Sequence, residues 1–62
     1  MFYRYKGILY SLDNVRKVQT SKDKRLITID YTDGGSLRIE LGGSDQEAIM
    51  VLNDIEKKLN GR

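Results

Sequence analysis

The sequence predicts an α+β fold: an antiparallel sheet of four to five strands with one C-terminal α-helix, about residues 45–60, packed on one face. Three observations carry this. The last third of the chain has helical apolar spacing behind a capping signal. The middle has two period-two segments around a Gly-Gly turn. The chain has 62 residues with no Cys, His or Pro, which gives one small unit, compact from about residue 2 to residue 60.

The helix is the clearest element. Ser44-Asp45-Gln46-Glu47 reads as a capping box, in which the Ser44 hydroxyl accepts from the Glu47 N–H and the Glu47 carboxylate reaches back. Ala48, Val51, Leu52, Ile55 and Leu59 form one apolar stripe. Asp45 and Glu47 lie near the positive end of the helix dipole, and Lys57, Lys58 and Arg62 near the negative end. Gly61 is placed to cap the C-terminus.

The central hairpin is next. Residues 25–31 and 36–41 each alternate apolar and polar side chains. A two-residue turn would set Ile29 opposite Arg38 on one face and spoil the core. A three-residue loop, Asp33-Gly34-Gly35, pairs Ile29 with Ile39, Tyr31 with Leu37 and Ile27 with Leu41, with Gly35 in the left-handed position. Asp30 then faces Arg38 as an exposed ion pair, and Thr28 faces Glu40. The outer face of this sheet (Leu26, Thr28, Asp30, Arg38, Glu40) is largely polar and suited to water.

Upstream, residues 15–20 read as a strand joined to the hairpin by the polar turn Ser21-Lys22-Asp23-Lys24. Leu12, Val15 and Val18 are also spaced for one helical turn at 12–15, where Asp13-Asn14 supplies turn chemistry. Phe2 to Tyr10 is extended. A bulge or turn at Lys6-Gly7 sets Tyr3 and Tyr5 on the core face with Ile8 and Tyr10, leaving Phe2, Arg4 and Lys6 outward as an edge able to pair with a second chain.

Composition narrows the function classes. A chain this short buries only about 60% of the surface its unfolded form exposes. Without Cys or His it has neither disulfides nor a zinc site of the usual kind, and no metal or cofactor is expected. Self-association into a homodimer is the remaining aid to stability. The missing Cys fits a cytoplasmic location. No signal-peptide core or apolar run long enough to span a membrane is seen, so no membrane role is expected.

The commonest general bases and nucleophiles are absent, so the chain reads as a non-enzyme. Asp30 and Glu40 share a sheet face, but nothing in the pattern buries them. Gly42-Gly43-Ser44 precedes a helix, yet Asp45 and Glu47 repel an anion there, and the stretch reads as a hinge.

Residues 1–31 carry seven Lys/Arg and three Asp, a net +4; residues 32–62 carry four Lys/Arg and six Asp/Glu, a net −2. The expected role is a small non-catalytic domain that binds a protein partner or itself. The alternative is a nucleic-acid binder using the basic N-terminal half. The contact residues expected on either reading are Phe2, Arg4, Lys6, Lys22, Lys24 and Arg25. Strands followed by one helix in about 60 residues is similar in element order to transcription-coactivator-type single-strand binders, which are dimers. The central hairpin has Thr28, Asp30 and Glu40 where those proteins carry a basic-aromatic strand motif, and no family is assigned.

Overall fold

A computed structural model describes residues 1–61, and Arg62 with its expected place at the helix end lies outside the described residues. The described chain runs β1 (Phe2–Tyr5), β2 (Ile8–Ser11), β3 (Val15–Thr20), β4 (Leu26–Tyr31), β5 (Ser36–Glu40) and α1 (Asp45–Asn60). The α+β class and the C-terminal helix are as expected from the sequence. The single sheet is not: β1 and β2 form a two-stranded sheet, and β3-β4-β5 a separate three-stranded one, both antiparallel.

The physical reason lies at the edges that would have joined them. The Tyr31 hydroxyl donates to the Ser11 carbonyl at the end of β2. The Gly42 N–H, just past β5, donates to the Glu47 carboxylate at 2.9 Å. One backbone group at each edge is thus taken by a side chain, and along the rest of their length β2 and β5 are held apart by a cleft of about 520 Å³ between Ile8/Tyr10 and Arg38/Glu40.

The first hairpin turns at Lys6-Gly7, both with positive φ (50° and 82°). That is the two-residue turn whose twist matches a hairpin, and Gly7 takes its second left-handed position without a Cβ penalty. Tyr3 pairs with Tyr10 and Tyr5 with Ile8. Tyr3, Tyr5 and Tyr10 are buried as expected, whereas Ile8 is 54% exposed because it flanks the turn beyond the end of the core.

The Asp13-Asn14 segment is a turn rather than helix, with Asn14 at φ 62°. In β3, Arg16 is the extra residue of an irregularity between Val15 and Lys17. The β4–β5 register differs from the expected one by two residues: Ile27 faces Ile39 and Ile29 faces Leu37. The loop is Thr32-Asp33-Gly34, closed by the Tyr31 N–H to the Gly35 carbonyl at 2.9 Å. Gly34, not Gly35, takes the left-handed position at φ 94°. A shift of two keeps every side chain on its face, so Ile27, Ile29 and Ile39 are buried as expected while the cross-strand partners change. Leu37, expected in the same stripe, is 41% exposed near the open end of β5, and Leu41 is half-buried. Arg38 stands opposite Thr28, and Asp30 forms its ion pair with Lys17 at 3.8 Å instead.

In α1 the Ser44 side chain accepts from the Glu47 N–H at 3.3 Å, as the capping box requires. The returning Glu47 carboxylate binds the Gly42 N–H rather than that of Ser44, and it also meets the Lys6 ammonium at 3.5 Å. Gly61 caps the other end, its N–H donating to the Lys57 carbonyl at 2.7 Å.

Ile27, Ile29, Ile39, Val51 and Ile55 form the fully buried centre. Tyr3, Tyr5, Tyr10 and Leu12 join the same cluster, so hairpin, sheet and helix share one core. The Lys6–Glu47 pair and the proximity of Tyr3 to Asp54 lay β1 alongside α1. On the other side, Ile8 and Tyr10 of β2 line a cleft with Arg38 and Glu40 of β5.

Candidate interaction surface

The strand alternation that buries three tyrosines turns Phe2, Arg4, Leu9 and Ser11 to the opposite face of the hairpin, with Arg4 directly across from Leu9 and Phe2 across from Ser11. Phe2 is 56% exposed and Leu9 57%. Two large apolar side chains therefore flank an arginine on a small, two-stranded surface. Phe2 and Arg4 were expected here. Leu9 was missed, although the alternation from Tyr10 places it outward once Lys6-Gly7 is read as a hairpin turn. Ile49 and Met50 add exposed apolar surface on α1, on the side away from its buried stripe.

The other expected contact residues gather elsewhere. Lys6 lies at the hairpin tip and Arg25 at the start of β4. Lys6 meets Glu47, which binds Gly42, while the Arg25 side chain lies against Gly43, so both flank the loop that enters α1. Lys22 and Lys24 occupy the β3–β4 turn, Lys24 with φ 61°.

That turn is built around Ser21. Its hydroxyl donates to Asp23 at 2.7 Å and accepts from the N–H groups of Arg25 and Leu26 at 3.2 and 3.1 Å. Asp23 also accepts from the Arg25 N–H at 3.1 Å and meets its guanidinium at 3.8 Å. The Ser21 hydroxyl first, then the Arg25 backbone, hold the Asp23 carboxyl below the usual range. Of Lys6, Lys22, Lys24 and Arg25, Lys6 and Arg25 are thus paired with carboxylates. The structure does not bring Phe2 and Arg4 into the same patch as Lys22, Lys24 and Arg25.

The remaining features are shallow. A groove of about 420 Å³ runs between β3 and α1, lined by Val15, Val18, Leu52, Ile55 and Leu59. The cleft between β2 and β5 is about 520 Å³ and is floored by Tyr5, Tyr10 and Leu41. Neither gathers acids or nucleophiles, and no cluster of potential metal ligands occurs among the described residues.

Asp30 and Glu40 do share the outer sheet face. Glu40 stands opposite Leu26, so the two lie four residues apart along the strands, about 13 Å. That is too far for paired-carboxylate chemistry on one bond.

Tyr3 and Tyr31 have pKa values raised above 10.0, both by burial first. The negative charge of Asp54 and its acceptor oxygen add to the effect on Tyr3, and the charge of Asp33 to that on Tyr31. Both remain neutral phenols at ordinary pH.

Two-stranded hairpin, three-stranded sheet and helix together define a small α+β domain whose exposed chemistry is a mixed apolar-cationic surface. Comparison of the chain with protein-family models, with curated proteins and with solved structures finds no match. No helix among the described residues is long and apolar enough to cross a membrane.

Proposed function

We propose that the chain is a small non-catalytic, cytoplasmic interaction domain that binds a protein partner through the outer face of its first hairpin. The carrying observation is the exposure of Phe2 and Leu9, both more than half open to solvent beside Arg4. Aromatic residues and arginine are enriched at protein interfaces, while exposed apolar side chains gain when a partner covers them. The hairpin is also well braced beneath this face by three buried tyrosines, so its binding surface is formed in advance.

The test is comparative capture. Wild-type chain and a Phe2→Ser/Leu9→Ser double variant are immobilised after circular dichroism and thermal melting establish that both are folded. A protein partner bound by the wild type should lose at least about tenfold in affinity for the double variant, a difference of about 1.4 kcal/mol. A partner bound equally by both, or no protein bound by either, refutes the reading.

A second reading is a nucleic-acid strand bound along Lys6 and Arg25, which flank the loop into α1, and Lys22 and Lys24 of the adjoining β3–β4 turn. It is supported by the meeting of Lys6 and Arg25 around the Gly42–Ser44 loop. It is weakened by the two carboxylates that pair them. Anisotropy titration of a labelled single-stranded oligonucleotide at low and moderate salt decides it. Phosphate contacts require binding that falls with salt and with Lys22→Ala/Lys24→Ala.

A further inference from the structure

The outer strand β5 has one paired edge and one edge that no described strand pairs with. Two backbone bonds determine which residues face that open edge. The Tyr31 N–H donates to the Gly35 carbonyl and the Leu41 N–H to the Arg25 carbonyl, at 2.9 and 2.8 Å. In an antiparallel ladder, bonded pairs alternate with unbonded ones. Residues 35, 37, 39 and 41 therefore turn their backbone groups to β4, and Ser36, Arg38 and Glu40 turn theirs outward. Gly42, next in this series, already gives its N–H to Glu47. β5 has no Pro, no Lys and no bulge; its charges are Arg38 and Glu40, and a cleft of about 520 Å³ separates them from Ile8 and Tyr10 of the first hairpin.

We propose that β5 pairs antiparallel with β5 of a second copy of this chain, in the register that sets Arg38 of each copy opposite Glu40 of the other. The pattern of charges selects this register. Pairing Arg38 with Arg38, or Glu40 with Glu40, puts like charges directly across the strands, which destabilises a ladder. A one-residue slip presents inward-facing backbone groups to outward-facing ones and reverses the faces. Only the Arg38–Glu40 register gives two opposite-charge pairs related by a two-fold axis, with outward N–H and C=O groups meeting at all four of these residues.

The same register matches the apolar face. Ile39 falls opposite Ile39 on the axis, and Leu37 opposite Leu41 of the second copy. Leu37 is 41% exposed in the single chain. Leu41 lines the cleft of about 520 Å³ together with Ile8, which is 54% exposed. Docking thus brings Leu37 of one copy to the cleft walled by Leu41 and Ile8 of the other, twice over. The two three-stranded sheets become one continuous six-stranded sheet. This surface is separate from Phe2 and Leu9, and the inference stands or falls independently of the hairpin-mediated binding proposed above.

Charge exchange tests it. Sedimentation equilibrium of the wild type should show the 7.1 kDa mass doubling as concentration rises. Arg38→Glu and Glu40→Arg, each on an exposed outer-face residue, should each weaken dimerisation about tenfold or more, because symmetry places the like-charge contact twice. The double variant Arg38→Glu/Glu40→Arg should dimerise like the wild type. An equimolar mixture of the two single variants should form a heterodimer. Circular dichroism checks that every variant is folded, and Phe2→Ser/Leu9→Ser should leave the dimer intact. A wild type monomeric up to about millimolar concentration, single variants as tight as the wild type, or a double variant no tighter than the singles would each overturn the proposal.

Discussion

Replacing Tyr5 by Phe should stabilise this domain. Tyr5 is 8% exposed, and its hydroxyl is buried with no hydrogen-bond partner among the described residues. Its ring is well placed: it stacks on Tyr3 with centroids 6.4 Å apart and planes 14° from parallel, and the Lys6 ammonium lies 5.4 Å from its centroid. Phenylalanine keeps the stacking, the apolar burial and the cation–π contact. What Tyr5→Phe removes is a hydroxyl that loses its water on folding and gains nothing, a penalty of about 1–3 kcal/mol. Allowing for some local adjustment in the native state, the gain should be about 1 kcal/mol. In a chain of this size that raises the melting temperature by about 4–8 °C. Tyr31→Phe is the control with the opposite sign. The Tyr31 hydroxyl donates to the Ser11 carbonyl, so its removal leaves that carbonyl short of a partner and should cost about 1 kcal/mol. Urea unfolding followed by circular dichroism, with unchanged m-values, reads both differences. Loss of stability in Tyr5→Phe comparable to that in Tyr31→Phe would refute the reasoning.

Ile39 is fully buried at the centre of β5, so Ile39→Ala should cost about 2–5 kcal/mol in the same urea assay, enough to unfold much of so small a domain. Gly34 holds φ 94° in the β4–β5 loop, and open space surrounds its missing Cβ. Gly34→Ala should therefore cost about 1–2 kcal/mol from backbone strain alone, while Gly35→Ala, at a position without positive φ, should cost less. Stability should also fall in alkali. Tyr3 and Tyr31 titrate above 10.0 when folded, so above that pH the unfolded chain has released protons that the folded chain still holds. Unfolding is favoured from about pH 10 upward. Urea midpoints between pH 9 and 11 should fall less steeply in Tyr3→Phe than in the wild type.

The helix was legible because its signals are local: the Ser44 cap, the acidic first turn and a stripe that recurs within sixteen residues. The faces of β4 and β5 were legible for a similar reason, since alternation reports which side a residue takes. Alternation is blind to a shift of two, so the register rested on which glycine turns left-handed, and that was Gly34 rather than Gly35. The division of the sheet had no local signal. It is a matter of how the first hairpin seats beside β5, across a cleft between Ile8/Tyr10 and Arg38/Glu40, and of side-chain bonds such as Tyr31 to Ser11, between residues 20 positions apart. Within the candidate surface, Phe2 and Arg4 followed from the inward tyrosines. Leu9 was hidden in the apolar run Ile8-Leu9-Tyr10, whose phase becomes readable only when Lys6-Gly7 is a tight turn and Tyr10 stands across from Tyr3. The basic residues of the N-terminal half read as one group in sequence. In space they divide among the hairpin's outer face (Arg4), β3 (Arg16, Lys17), the β3–β4 turn (Lys22, Lys24) and the loop into α1 (Lys6, Arg25), because strand alternation and the turns send them apart.

Site-specific photo-crosslinking tests the hairpin's role most directly. A photo-reactive phenylalanine analogue is placed at position 2, and in separate chains at position 9 and at position 56, an exposed helix site well away from the hairpin's outer face. The account predicts that positions 2 and 9 form a covalent adduct with the same protein, that position 56 does not, and that excess unlabelled wild-type chain competes the adduct away while Phe2→Ser/Leu9→Ser does not. No adduct from positions 2 and 9, or equal adducts from all three, would contradict it.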